Sequence, residues 1–414
     1  MRIRAIAGAV PPRAGAARLV FVAKTTRTFC YGFLGIALPL YLSALGADAR
    51  GVGAMVALTL ASSAGLTWAV RRPAERHGPV GPLLALAALS LVAAGLLLTT
   101  RTPWFVVLAA MLGNVAVGTG ETGPFLTLEQ VVVARAVAPD RLPEALALYN
   151  LLGYVAAALG AAAAALVPAP ALFAAFGAGA LVQIVAYARL PRAGGQAPAR
   201  RGLPLAALPS APIIRRLAAL FALDAFAGGF VLQSLIAYWF AVRYGLRLDS
   251  LGWVFFAAQL LTALSFLAAA PLARRLGLIQ TMVVTHLASN VLLIGVGLAR
   301  SAPAAIALLL ARQLLSQIDV PTRQAYVMSV VEDREREAAA SITNVARTVA
   351  QAVTPAFTGW VIQGLALAAP FVLGGGLKIV YDLLLYATFR SVPSRAGAVT
   401  VGDPSARDGG RTEG

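Results

Sequence analysis

Ten ionisable side chains interrupt stretches of sequence that are otherwise apolar: Arg27, Glu121, Glu129, Asp224, Arg312, Asp319, Arg323, Arg347, Lys378 and Asp382. A charge at the centre of a bilayer costs about 2.5–3.5 kcal/mol on insertion scales. Each of these positions therefore marks either an ion pair or a place where a solute or a proton is met. Five are acids and five are bases, so mutual pairing can offset much of the cost. The chemistry open to such a set is counter-ion exchange, in which a carboxylate takes up a proton when its cation moves away and expels it on re-pairing. Covalent catalysis has no comparable support. Two histidines, His77 and His286, and one cysteine, Cys30, leave nothing to build a zinc site, a disulfide framework or a conventional triad around. There is no His-Glu-x-x-His, no Gly-x-Ser-x-Gly and no phosphate-cradling Gly-x-x-x-x-Gly-Lys-Ser/Thr loop. No cofactor, no metal, no enzymatic activity and no direct use of ATP are expected.

The densest pattern lies between residues 312 and 323. At about 100° per residue, Arg312, Ser316, Asp319 and Arg323 fall on one helical stripe. Asp319 and Arg323 stand at ion-pairing separation, and Pro321 is expected to kink the helix within the stripe. Either the stripe faces a cavity or its ion pair joins the helix to a neighbour. Asn344, Arg347, Thr348 and Gln351 form a second polar face, which helix–helix contacts explain as well as substrate binding does. Lys378 and Asp382, at i,i+4, are expected to satisfy each other. Glu129 is expected to snorkel near a helix end, and His286 and Cys30 to be packed residues. Glu121 stands in the bendable run Gly118–Gly123, just ahead of Pro124. Arg334, among Glu332, Asp333, Glu335 and Glu337, reads as a solvated loop or a gate latch.

The elements that must position these groups are membrane helices. The 414 residues are 59% apolar and only 12% charged, against about 25% charged in a soluble chain, and the mean hydropathy is +0.79. A ruler of about 20 apolar residues per crossing gives twelve segments. They lie near 20–44, 50–70, 80–99, 103–132, 144–166, 169–188, 213–241, 250–273, 280–299, 303–328, 338–365 and 369–389. Strand-length alternations of the barrel type do not occur. Arginines at 2, 4, 13 and 18, with no apolar run before Leu19, predict a first helix that is retained and not a cleaved leader. With the N-terminus cytoplasmic, the outer loops hold only Arg50, Arg101, Arg243, Arg247 and Arg300, while most of the other basic residues fall on the cytoplasmic side. The positive-inside rule then places both termini in the cytoplasm. Basic residues that track alternate loops also exclude nucleic acid as the reason for the net charge of +17. The organisation expected is an N-terminal half over 1–188, a Pro-rich cytoplasmic linker over 189–212, a C-terminal half over 213–390 and a disordered tail over 391–414.

The halves resemble each other. Gly32-Phe33 and Tyr41 match Gly229-Phe230 and Tyr238 at an offset of 197. Gly53 matches Gly252, and Glu75-Arg76-His77-Gly78 matches Arg274-Arg275-Leu276-Gly277, at 199. Asn114 matches Arg312 and Glu121 matches Asp319 at 198, and Asp140-Arg141 matches Asp333-Arg334 at 193. Arg27 and Asp224 occupy equivalent positions, a base and an acid that either pair across a pseudo-twofold axis or find separate partners within each half. On this repeat, the twelve segments and the basic turns, the chain resembles the major facilitator superfamily over essentially its whole length. The family's Gly-x-x-x-Asp-Arg-x-Gly-Arg-Arg turn survives as Glu75, Arg76 and Gly78, with Arg71 for the first glycine, and as Arg275 and Gly277 in the second copy. The helix-5 signature of drug/proton antiporters is absent around Gly153 and Gly160, and Asn114 replaces the family's helix-4 arginine.

The resemblance implies an all-α membrane protein of twelve transmembrane helices in two pseudo-symmetric six-helix bundles. It implies a central cavity lined by the first, fourth, seventh and tenth segments, which carry seven of the ten charges. It further implies a monomeric transporter of the bacterial inner membrane, moving a small solute by alternating access, with protons as partners and efflux as the direction. Uptake or uniport on the same fold, or a non-transporting receptor or assembly factor, is the alternative.

Overall fold

The computed structural model describes residues 14–118, 123–138, 141–191, 209–332 and 335–390. Glu121, Arg334, most of the linker and the expected tail lie outside them. The described elements are fifteen α-helices and no strand. They are α1 (Ala14–Ala44), α2 (Ala49–His77), α3 (Val80–Thr99), α4 (Pro103–Leu112), α5 (Pro124–Ala136), α6 (Leu142–Leu166), α7 (Ala169–Ala188), α8 (Ala211–Gly229), α9 (Gln233–Tyr244), α10 (Leu248–Leu276), α11 (Leu278–Leu298), α12 (Ala302–Gln313), α13 (Asp319–Val330), α14 (Arg336–Gly364) and α15 (Ala369–Phe389).

Bridging three breaks groups these helices into twelve legs. The fourth leg is α4 and α5, the seventh α8 and α9, and the tenth α12 and α13. Each break has a chemical cause. Pro124 opens α5, where a missing N–H costs nothing. Pro321 lies in the first turn of α13, cannot donate to the Gln317 carbonyl and crowds it, so the helix gives way just before it. The expected kink is a full interruption over 314–318. The seventh leg breaks after Gly228-Gly229, a weak helix former in tandem. Eight legs are long and apolar enough to cross a membrane by composition alone. The four that are not are α1, α14 and the broken fourth and tenth legs, and these carry Lys24, Arg27, Glu129, Asp319, Arg323 and Arg347.

The repeat is visible in the backbone. α2 and α10 both have 29 residues, both contain a proline near their ends (Pro73, Pro271), and both stop at a glycine with φ 85°, Gly78 and Gly277. That positive φ is open to glycine without strain, which accounts for the glycine that both copies of the basic turn retain beside Arg76 and Arg275. Arg71 donates to Glu75 across one exposed turn at 2.8 Å, and Arg76 and Arg275 are exposed.

Each half buries two apolar layers with a charged layer between them. In the N-terminal half, one layer gathers Val20, Leu83, Phe125 and Tyr187 and the other Phe33, Leu38, Val52 and Phe176. Arg27 lies between Ala23 of the first and Cys30 of the second. In the C-terminal half, Phe221, Met282, Tyr326 and Leu385 form one layer, and Trp239, Phe255, Leu293 and Phe371 the other. Asp224, His286 and Lys378 fall between them. Large apolar side chains on the outside, such as Trp104, Leu166, Val291 and Leu383, are exposed, as expected where lipid is the solvent.

Candidate functional site: two buried charge layers flanking a polar cavity

In the N-terminal layer, Arg27 and Glu129 form a fork-to-fork pair, Nη1 to Oε1 at 3.0 Å and Nη2 to Oε2 at 2.6 Å. Both are fully buried. Tyr149 and Tyr187 each donate to a Glu129 oxygen at 2.6 Å, and the Arg27 carbon stacks 4.3 Å from the Phe125 ring centre. Four legs thus meet at one carboxylate. One expectation is corrected here: Glu129 does not snorkel to a helix end, because a bidentate arginine and two phenols replace the water it would have reached for. Of the two readings open for Arg27 and Asp224, the structure shows separate partners within each half. Tyr149→Phe and Tyr187→Phe are each expected to lower the thermal midpoint of the detergent-solubilised protein. Each loses a hydrogen bond to a charged group, about 1.5–3 kcal/mol. Midpoints within a degree of the unmodified protein would show that the arginine fork alone holds Glu129.

The C-terminal layer is built around Asp224. Its Oδ1 accepts from Lys378 Nζ at 2.5 Å and faces His286 Nε2 at 3.6 Å. Its Oδ2 accepts from Arg347 at 2.8 Å and faces Arg323 at 3.6 Å. Arg323 also donates to Asp319 at 2.7 Å. On the far side of the imidazole, His286 Nδ1 lies 2.7 Å from Asp382 Oδ1, and Asn290 donates to Asp382 Oδ2 at 3.0 Å. Lys378 and Asp382 therefore do not satisfy each other. They diverge to Asp224 and His286, because the neighbouring legs offer partners on either side of α15. His286 is a member of the network and not a packing residue.

The 312–323 stripe divides at the helix break. Arg312 and Ser316 both donate to Gln313 Oε1, at 2.9 and 3.0 Å, while Asp319 and Arg323 keep the expected pair. Asp319→Asn leaves Arg323 with Asp224 at 3.6 Å. The variant is expected to insert and fold at the normal level, checked by its size-exclusion profile.

A polar cavity lies between the halves. Lys24, Thr28 and Tyr31 on α1, Asn150 and Tyr154 on α6, and Gln233 and Gln259 from the C-terminal half line about 530 Å³ of space free of atoms, open solvent included. Gln259 Nε2 donates to Gln233 Oε1 at 2.7 Å, and its own Oε1, buried, has no partner among the described residues. Behind the broken fourth leg a second pocket is lined by Thr59, Ser63, Asn114 and Gln351. Asn114 takes φ 47° with both amide atoms buried and without partners among the described residues. Asn344 is exposed on α14. Sequence reading passed over Lys24, Tyr149, Tyr187, Gln233 and Gln259. The signal was present in α1, where Lys24, Thr28 and Tyr31 share one helical face, but tyrosine and glutamine in apolar runs carry no charge to betray them.

At the end of the molecule away from Ala14 and Arg390, the halves touch backbone to backbone. A Cβ on Gly53 would lie 2.7 Å from the Pro355 carbonyl, and one on Gly252 would lie 2.6 Å from that of Ala161. These two glycines are equivalent in the repeat, and each meets a leg of the opposite half. Gln363 donates to Asp48 at 2.6 Å, and Arg50 stacks 4.1 Å from the Trp360 ring centre. The Gln363 amide, with the Gly51 N–H, holds the Asp48 carboxyl below its usual range. Toward the other face, no residue of α2 after Ser63, and none of α14 from Asn344 to Val353, is buried.

The comparisons with known proteins follow this architecture. A sequence model of the Major Facilitator Superfamily matches residues 20–316. An uncharacterized membrane protein of Saccharomyces cerevisiae is 21% identical, the alignment covering 91% of this chain and 95% of the relative. Among solved structures, the nucleoside transporter NupG aligns with a TM-score of 0.69 at 13% identity, over 91% of this chain and 99% of its own. A D-xylose–proton symporter aligns at 0.70 and 13%, over 92% and 98%. The human organic anion transporter aligns at 0.63 and 18%, over 91% and 100%. At these identities the likeness is one of fold. With the sequence match over most of its length, the chain belongs to the major facilitator superfamily and is a multi-pass membrane transporter.

Proposed function

We propose that this protein is a proton-driven secondary transporter that exports a small polar solute from the cytoplasm by alternating access. The observation that carries the reading is the cavity between two separately charge-balanced halves, lined from both of them and sealed at one end by a two-glycine seam. Because Arg27 and Asp224 find partners within their own halves, no ion pair between them opposes the halves rocking as rigid units about the cavity. Lining groups of neutral amide, phenol and hydroxyl type, with a single lysine, suit a solute rich in hydrogen-bonding groups. The structures it resembles include a nucleoside transporter, a sugar–proton symporter and an organic anion transporter, and these solute classes are the first to test. The charge bias of the loops supports placing the sealed face outside, and on that reading this conformation receives solute from the cytoplasm. Export is proposed because efflux is the direction that the family resemblance implies.

Growth of a deletion strain on toxic nucleosides, sugars and organic anions identifies candidates. Flux of each hit into proteoliposomes, with and without an imposed pH gradient, is then the direct test. Accumulation on the side from which protons leave supports the reading. Movement with the proton gradient makes the protein an importer, and flux without any gradient dependence makes it a uniporter. For the orientation, cysteines at Ala197 and Ala47 in a Cys30→Ser chain should label from opposite faces. Labelling of both from one face overturns the assignment of the termini to the cytoplasm.

A further inference from the structure

We propose that the proton-carrying group of this transporter is His286 in its dyad with Asp382, on the ninth and twelfth legs, and not a carboxylate of the cavity-lining legs. This inference rests on the proposal above that transport is proton-driven. Of the four buried acids in the charge layers, three are met by arginine or lysine; a fifth among the described residues, Glu335 just before α14, is held by the Ser210 N–H and hydroxyl outside those layers. Asp224 has Lys378 and Arg347 on its two oxygens, with Arg323 beside them. Asp319 has Arg323, and Glu129 has Arg27. A proton arriving at any of these must compete with a fixed cation. Asp382 has neutral or titratable partners in His286 and Asn290.

The groups that face His286 can be named for every element packed on α11. From α15 come Lys378, Asp382 and Tyr381, whose ring meets the imidazole edge-to-face at 5.7 Å. From α13 come Asp319 and Arg323, and from α12 Arg312. The middle of α10, residues 250–273, has no charged side chain. α8 contributes Asp224 and α14 Arg347 from across the layer. Asp224, Asp319 and Asp382 balance Arg323, Arg347 and Lys378, and Arg312, which donates to Gln313, leaves the seven charged groups at +1 with a neutral imidazole.

Both protonation states of the ring are provided for. One proton lies on the 2.7 Å line between Nδ1 and Asp382, whichever atom carries it. A second proton, on Nε2, would point at Asp224 Oδ1 across 3.6 Å, too far for a hydrogen bond in this conformation. Closing that gap by about 0.7 Å brings the added charge into a charge-assisted bond with Asp224; opening it removes the bond. Asp224 is on a leg that breaks at 230–232, and His286 on an unbroken one. A shift of the seventh leg on the ninth therefore changes the affinity of the imidazole for its second proton, and linkage makes the converse hold. The step is a plain proton transfer, in which Nε2 gains or loses H⁺ and no other bond changes.

The chain has only two histidines, so His77→Asn leaves a single imidazole to observe. Nitrogen-15 spectra of ring-labelled His77→Asn protein in nanodiscs should show that imidazole titrating between pH 5 and 9. Asp382→Asn should move the midpoint by more than one pH unit, since it removes the carboxylate on Nδ1. A ring that keeps one state from pH 5 to 9, or an unmoved midpoint, overturns the proposal whatever the transport assays give. In proteoliposomes, with a solute from the screen, His286→Gln should lose at least tenfold in gradient-driven accumulation while keeping solute exchange within about twofold. Accumulation at the normal rate would sink the His286 assignment and leave the transport reading standing. Absence of gradient-driven flux in the unmodified protein would instead remove proton driving altogether, and this proposal with it. His286→Asn, shorter but still polar, repeats the measurement should the glutamine variant give no folded protein.

Discussion

Asp224→Asn is expected to cut the yield of monodisperse protein by tenfold or more, the largest effect of any conservative substitution in the chain. The amide has the volume of the acid, so packing is unchanged and only charge is lost. What remains is a buried layer in which Lys378 and Arg347, at 2.5 and 2.8 Å from the vanished carboxylate, have lost their counter-ion between two apolar cores. Breaking one buried ion pair costs about 3–5 kcal/mol, and a typical protein is stable by only about 5–15 kcal/mol. The mechanism predicts its own rescue: Lys378→Met in the same chain removes the excess cation and should restore at least half of the lost yield. Yield by fluorescence-detected size exclusion separates the outcomes. A single variant that behaves normally would show that charge balance in this layer does not hold the fold. A double variant as poor as the single would place the defect in geometry, not in charge.

Gly53→Val combined with Gly252→Val is expected to abolish net transport while leaving the protein folded. At both positions the opposite half's backbone stands where a Cβ would be: a Cβ added at 252 would lie 2.5 Å from Ala165 N and 2.6 Å from the Ala161 carbonyl, and one added at 53 would lie 2.7 Å from the Pro355 carbonyl. Backbone cannot turn aside as a flexible side chain would, so the seam must part. Nothing within either half opposes that parting, because the substituted positions lie on surfaces where the halves meet. The conformational equilibrium should swing toward a cavity open at the seam. The chain's single cysteine makes the measurement direct: in a Cys30→Ser, Ala116→Cys background, the pair of valines should raise the labelling rate of residue 116 from the seam side at least tenfold. An unchanged rate would mean that the seam closes by another route. Each single valine should give a smaller rise, since one wedge leaves the symmetry-related contact intact.

Much of this protein was legible in its sequence because lipid imposes simple rules. Segments long enough to span a bilayer and glycines recurring at an offset of 199 are one-dimensional signals, and the fold follows them. Gly78 and Gly277, with equal φ of 85°, show the repeat at the level of the backbone. The Asp319–Arg323 pair was also available, since a helix brings i and i+4 together by itself. The partners of every other buried charge were not. Lys378 and Asp382 satisfy the same i,i+4 rule and yet part company, because the neighbouring legs offer Asp224 to one and His286 to the other. Arg27 takes Glu129 from 102 positions away and ignores the acid that symmetry would give it. In a low-dielectric layer the strength of an ion pair depends on separation and on how fully each lone pair is used. Both are set by which legs lie side by side and by the depth at which they meet. Composition required that these charges be paired within the membrane; only the packing of the helices decided with whom.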